Sequence, residues 1–297
     1  MPHPNAAKLR GLLPAILTPL DLNGDLALEH FPALLDFQRR AGMDGVVVCG
    51  TNGEGTALSV AERKQTIEKA IQHRGNFVII AGTGATSVTD AVELTRHAAS
   101  VGADAALVLP PFFMKNPKAA GLAAYFRPIL DAADLPILLY SIPQFSAVPI
   151  TDELMALLAD HPNLFGVKDS AGDWTRTHEF ITRYPHLRIF AGSDRLAARS
   201  YAHGGSCISG GANAFPEIVV AIRDAWNSHG DGPELAAAQA RLDALIDITI
   251  RYPFVTSSKS ILAHRGLPRL GVRPPLTLLA PDVEANLLAE LRDAKFL

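Results

Sequence analysis

Cysteine is scarce in this sequence: Cys49 and Cys207 are the only two in 297 residues, each inside a separate apolar run. That excludes a disulfide-stapled scaffold and leads us to expect two reduced core thiols in a cytoplasmic protein. Long apolar runs are missing too. No segment approaches the ~18 uninterrupted apolar residues of a membrane span. The N-terminal MPHPNAAKLRGLLPAIL holds no signal-length apolar stretch with a cleavage site before its first strand-like run. Blocks of like charge are absent, and a net charge of −3 with a pI near 6.4 gives no basic footprint for nucleic acid. The ten histidines lack HxH or HxxxH spacing, so no histidine-based metal site is expected. Neither low-complexity segments nor a linker interrupts the chain.

What is present is apolar bulk, 48% hydrophobic against 19% charged, which is enough for a large core. The length suits one α/β barrel domain. Short β-branched runs alternate with longer segments of helical period. The candidate strands are LLPAIL from Leu12, GVVVC from Gly45, FVIIA from Phe77, AALVL from Ala105, PILLY from Pro136, LFGVK from Leu164, RIFA from Arg188 and SCIS from Ser206. Their ends are spaced by about the ~30 residues of a βα unit, closing up over the last two, where short helices are expected. The runs are continuously apolar, as parallel strands covered on both faces must be. Ser59 and Glu62 match a capping box. Asn116 followed by Pro117 reads as an N-cap with proline at the first helical position. Gly42, Gly75 and Gly102 sit where helices must end. Eight units predict a (β/α)8 TIM barrel, with a doubly wound open sheet as the alternative. Helical segments from Phe215, Glu234, Thr256 and Asp282 follow, so we assign 1–225 to the barrel and 226–297 to a C-terminal helical extension of the same domain.

Barrel enzymes place their chemistry at the C-terminal ends of the strands. The reactive side chains expected there are Thr51, Asn52 and Glu54 after strand two, Tyr140 at strand five, Lys168 and Asp169 at strand six, and Ser193 and Asp194 after strand seven. Of the eight lysines only Lys168 ends an apolar strand. Burial disfavours a charged amine, and a neutral amine is what attack on a carbonyl requires. A lysine there can also bind an anion or pair with a carboxylate. Asp169 is a poor partner, because successive strand side chains face opposite ways. Tyr140 can pass a proton or simply cap the barrel. The loop Gly50-Thr51-Asn52-Gly53-Glu54-Gly55 can turn its backbone N–H groups onto a carboxylate, with the Thr51 hydroxyl reaching an anion or Tyr140. A rival is the Ser209-Gly210-Gly211-Ala212-Asn213 loop, since barrels often bind phosphate near strands seven and eight. Gly82-Thr83-Gly84 lacks the third glycine of a dinucleotide fingerprint.

Together, GTNGEG at Gly50, LLYSIP at Leu138 and GVKDS at Gly166 resemble the dihydrodipicolinate synthase / N-acetylneuraminate lyase family of class I aldolases, over essentially the whole chain. The resemblance implies a barrel with C-terminal helices, a homotetramer, no cofactor or metal, and a small 2-oxo acid held as an imine on lysine. It makes Lys168 the Schiff-base lysine and Tyr140 the proton relay. Gly50, Thr51, Asn52 and Gly53 become the carboxylate cradle, and Ile208 the strand-eight carbonyl facing the oxo acid. Asn52 replaces the family's usual second hydroxyl residue. Two departures bear on substrate. Dihydrodipicolinate synthases carry an arginine two residues after the strand-five proline, where this chain has Pro143, Gln144 and Phe145. They also carry a relay tyrosine in the loop after strand four, where this chain reads Pro110-Pro111-Phe112-Phe113-Met114, and phenylalanine moves no proton.

LLYSIP and GVKDSAGDWTR are similar to the 4-hydroxy-2-oxoglutarate aldolase branch, and in part to the sugar-acid aldolases and dehydratases. The expected activity is therefore retro-aldol cleavage of a 4-hydroxy-2-oxo acid to pyruvate and an aldehyde. The alternatives are a dihydrodipicolinate synthase using Lys115 for the second carboxylate, a 2-keto-3-deoxy sugar-acid aldolase or dehydratase, and a non-catalytic 2-oxo-acid-binding protein.

Overall fold

The eight apolar runs become eight parallel strands in the computed structural model, which describes residues 8–297. The first seven residues of the N-terminal stretch read above lie outside the described residues. The strands are β1 (Leu12–Pro14), β2 (Gly45–Val48), β3 (Val78–Gly82), β4 (Ala105–Val108), β5 (Ile137–Ser141), β6 (Leu164–Asp169), β7 (Arg188–Ala191) and β8 (Ser206–Ser209). Between and after them run α1 (Phe31–Arg40), α2 (Val60–Gln72), α3 (Val88–Ser100), α4 (Ala119–Leu130), α5 (Pro143–Ser146), α6 (Asp152–Leu158), α7 (Trp174–Arg183), α8 (Ala197–Ala202) and α9 (Pro216–His229). Three more helices complete the chain: α10 (Pro233–Thr249), α11 (Phe254–His264) and α12 (Pro281–Asp293). From β2 to β8 each strand pairs with its sequence neighbour, and β1 pairs with β8. A bridge between Ala15 and Val47, with the Ile16 N–H donating to Val47 O at 2.9 Å, brings β1 against β2. The sheet therefore curls round on itself as a (β/α)8 barrel with C-terminal helices, and the open-sheet alternative falls away. Among the described residues no helix is long and apolar enough to cross a membrane.

Local signals explain most boundaries. Ser59 and Glu62 form the full capping box at the start of α2. Gly42, Gly75 and Gly102 take positive φ just beyond α1, α2 and α3. Three readings need correction. The first strand stops at Pro14 rather than Leu17, because Ala15–Leu17 are drawn off to Val47 and to the Asn213 side chain. Helix α4 begins at Ala119, after Lys118, and not at Asn116–Pro117. Asn116 adopts φ 55°, a left-handed conformation that asparagine tolerates, so the chain is still turning there. Of the two helices expected to be short, α8 has six residues, but α7 reaches ten because Asp173 caps it almost directly after β6.

The strands separate two apolar layers. Leu13, Val47, Ile80, Leu107, Leu138, Phe190 and Ile208 fill the barrel interior. Val46, Val48, Ile79, Leu139, Val167, Ile189 and Cys207 face outward into a larger cluster under the helices. Burying one such aliphatic side chain contributes roughly 1.5–3 kcal/mol. The larger outer layer thus carries most of the stability, and the mouth of the inner layer can hold polar groups whose burial costs some of it. Cys49 and Cys207 are both buried free thiols.

Strand β6 breaks the alternation once. Ile137 pairs with Leu164, but Leu138 pairs with Gly166, so Phe165 is an extra residue on β6. Such a bulge shifts the phase of every later side chain. Leu164 faces outward, and simple alternation would turn Lys168 outward as well. With the bulge, Val167 faces the helices and Lys168 turns inward opposite Tyr140. Only glycine fits at 166, because a Cβ there would lie 2.0 Å from Arg188 O.

Gly166→Ala should lower unfolding stability by about 1–3 kcal/mol or more through overpacking. Gly121→Ala in α4, where a Cβ meets nothing within 4 Å, should raise it by up to about 1 kcal/mol. Urea denaturation measures both, and equal responses would contradict this account of β6.

Candidate active site

Lys168 and Tyr140 stand directly across from one another on β6 and β5. Each is 4% exposed. The Lys168 Nζ lies 4.2 Å from the centroid of the Tyr140 ring, and the Tyr140 Oη is 3.2 Å from Thr51 Oγ1. Three strand ends thus bring an amine, a phenol and a hydroxyl together at the mouth of the barrel. Ser170, two residues beyond Lys168, stands beside the phenol and helps to lower its pKa. Gly192, at the end of β7, leaves room beside them, since a Cβ there would lie 1.9 Å from Ser170 Oγ and 3.0 Å from Lys168 Cε.

The phenol is electrostatically tuned. Burial pushes Tyr140 up, but the Lys168 charge and hydrogen bonds from Thr51, Ser170 and Lys168 outweigh it, and its pKa lies below the ordinary phenol value. A phenol so placed exchanges a proton with a neighbouring oxygen more readily than a free tyrosine. Asp169 takes no part: its carboxylate accepts from Thr177 Oγ1 at 2.7 Å on the outer side of the barrel.

The loop after β2 is tightly wound. The Gly55 N–H donates to Gly50 O, the Glu54 N–H to Thr51 O, and the Thr18 hydroxyl to Gly53 O. The N–H groups of Thr51 and Asn52 make no hydrogen bond among the described residues, which leaves them for an anion. Gly53 is required where it stands, because a Cβ would come within 2.8 Å of Ile16 O. Asn52 turns its side-chain amide toward Gly210 in the β8 loop, where Phe254 of α11 also packs. Ile208 lies in the inner layer, paired with Leu13. Glu54 points away from this mouth and ion-pairs with Lys259.

The β8 loop does not make a phosphate cradle. Gly211 N–H already donates to the Asp194 carboxylate at 2.7 Å, Ala212 N–H to Ser209 Oγ, and Asn213 N–H to Gly210 O. An anion there would meet that acidic side chain. Burial pushes the Asp194 carboxyl up, against its bonds to Ser209 and Gly211 and the charge of Lys168. No cluster of three or more His, Cys, Asp or Glu able to hold a metal occurs among the described residues.

At the rim, Phe113, Met114 and Phe145 are exposed by 77%, 71% and 71%, so this mouth is edged with apolar surface rather than with hydroxyl or guanidinium groups. Lys115 is committed to backbone: its ammonium donates to the carbonyls of Phe112 and Ser146. Sequence reasoning missed Ser170 and Gly192. The signal for Ser170 was available, because it follows Lys168 by two positions and so shares its face.

The model of the dihydrodipicolinate synthetase family matches residues 8–294. A Chloroflexus aurantiacus protein named "Uncharacterized DapA-like lyase" is 43% identical over 95% of this chain and 96% of its own. A 4-hydroxy-tetrahydrodipicolinate synthase of Phenylobacterium zucineum is 36% identical over 96% of this chain and 97% of its own. Among solved structures, the Escherichia coli prophage protein YagE, of the dihydrodipicolinic acid synthase family and in complex with pyruvate, superposes with a TM-score of 0.91 at 28% identity, covering 97% of this chain and 99% of its own. A catalytic lysine mutant of Ruminococcus gnavus sialic acid aldolase gives 0.90 at 27% identity, covering 100% and 99%.

Ultraviolet titration of Tyr140, isolated by difference against Tyr140→Phe, should show the phenol moving up in Thr51→Val and further up in Lys168→Met, because the lysine charge outweighs the threonine bond. No movement, or the reverse order, would contradict this electrostatic picture.

Proposed function

The chain belongs to the dihydrodipicolinate synthetase family of lyases, and from that premise we propose that it cleaves a 4-hydroxy-2-oxo acid to pyruvate and an aldehyde through an imine on Lys168. The observation that carries this reading is the buried Lys168 amine facing the Tyr140 phenol, which is itself bonded to Thr51. The Lys168 amine adds to the C2 carbonyl and water leaves, giving a protonated imine. The C4 hydroxyl gives its proton to Tyr140 as the C3–C4 bond breaks, and the bonding electrons pass into the imine to form an enamine. The aldehyde departs. Protonation of the enamine at C3 and hydrolysis of the imine release pyruvate and restore the amine. The N–H groups of Thr51 and Asn52, flanked by Gly50 and Gly53, hold the C1 carboxylate. Ile208 contributes the strand-eight carbonyl that faces the oxo acid, and Ser170 steadies the phenol. This chemistry needs no cofactor or metal.

A second reading, 4-hydroxy-tetrahydrodipicolinate synthase, is supported by relatives of that name. It would require a second carboxylate site, yet Phe145 stands where the family's arginine is expected and Lys115 is already engaged. The apolar rim of Phe113, Met114 and Phe145 supports a homo-oligomer, which we take to be a tetramer in the cytoplasm, since exposed apolar patches of this kind favour association.

A screen of 4-hydroxy-2-oxo acids and 3-deoxy sugar acids, read by pyruvate release, should find a substrate, with aspartate semialdehyde plus pyruvate as the competing assay. Turnover should vanish in Lys168→Ala and fall roughly 10²–10⁴-fold in Tyr140→Phe. Cleavage that survives Lys168→Ala would refute the mechanism.

A further inference from the structure

Lys259 is the most deeply buried cationic side chain among the described residues, and the proposed reaction does not use it. It lies in α11, 1% exposed, and its ammonium donates to Glu54 Oε1 at 2.6 Å and to Gly271 O at 2.6 Å. The Glu54 side chain is 2% exposed, and its second oxygen accepts the Arg273 N–H at 2.8 Å. The partners are distant in sequence: Glu54 closes the loop after β2, whereas Lys259, Gly271 and Arg273 belong to the C-terminal extension.

The backbone at Glu54 explains why such a tether is needed. Glu54 adopts φ 55° and ψ 28°, a left-handed conformation that costs a residue with a Cβ. Such conformations persist only where the surroundings over-determine them. In this position the Glu54 N–H closes the turn onto Thr51 O, the next N–H closes it onto Gly50 O, and the N–H groups of Thr51 and Asn52 are left without a partner among the described residues. A buried ion pair is poor evidence of added stability, since apolar replacements are often neutral or stabilising, whereas a fixed geometry is something it can supply. Arg273 reinforces the tether, pairing with Glu62 in α2 and donating to Gly24 O.

We propose that Lys259 and Glu54 are positioning residues by which the C-terminal extension sets the loop that grips the substrate carboxylate. The inference rests on the reading of Thr51–Asn52 as that grip. It makes α11 part of the binding apparatus, although its lysine meets no substrate.

The test is exchange of the pyruvate methyl protons in D2O, followed by NMR, which reports enamine formation without needing the aldehyde partner. Lys259→Met should raise the half-saturating pyruvate concentration about tenfold or more, a larger factor than any loss in maximal rate. Lys259→Arg should recover part of that loss. A variant that is only partly folded behaves differently, losing maximal rate while its half-saturation stays put. If Lys259→Met does not fold, Glu54→Gln combined with Lys259→Met removes both buried charges and should show the same shift. Unchanged half-saturation, or a loss confined to maximal rate, overturns the inference while leaving the imine reading intact. No exchange by the unaltered protein overturns the imine reading and this inference with it.

Discussion

Strand β6 carries one residue more than β5 between the Leu164 and Gly166 pairings, and that single insertion decides which way Lys168 points. Without it, the alternation set by Leu164 would direct the amine into the apolar layer beneath the helices, where no partner could compensate a charge. With it, the amine lies over the Tyr140 ring at the mouth of the barrel. The close approach of Gly166 to Arg188 O makes the insertion possible. The electrostatics follow from this placement. The phenol is lowered because the lysine charge is near enough to outweigh burial, and Thr51 adds to the effect from a third strand end.

Around this centre, polar groups are divided by the face they occupy. Asp169 is bonded to Thr177 on the outer side, so it does not neutralise the amine. Asp194 is spent on the β8 loop, which fixes Gly211 and closes that loop to phosphate. Glu54 turns outward to the C-terminal helices. The segment between α11 and α12 also holds the start of α2, where Arg273 and Ser59 draw the Glu62 carboxyl down to about 2 in spite of its partial burial. The extension is thus bonded to the loops that shape the mouth, not only to the helical shell.

Much of this was legible in the residues. All eight strands lie where apolar, β-branched runs end in reactive or small residues, and the capping box at Ser59 behaves as written. Lys168, Tyr140 and Thr51 drew attention because each lies at or just past the end of an apolar run. The inward direction of Lys168 was reached from chemistry rather than from geometry, because no local signal announces a bulge at Phe165. Asn116–Pro117 misled for a related reason: asparagine favours both helix caps and left-handed turns, and the tertiary path selected the turn. The pairing of Glu54 with Lys259 could not be read, since nothing in either segment names a partner 205 positions away. The distal part of the substrate was the least legible feature. The side chains at the rim, Phe113, Met114 and Phe145, show what was lost relative to the family pattern rather than what was gained.

The most direct measurement is peptide mapping by mass spectrometry after the folded protein is treated with pyruvate and borohydride. A buried, phenol-facing amine predicts one stable adduct, on the peptide holding Lys168, absent when pyruvate or borohydride is omitted. An unmodified Lys168 peptide, or an adduct spread over surface lysines instead, would contradict it.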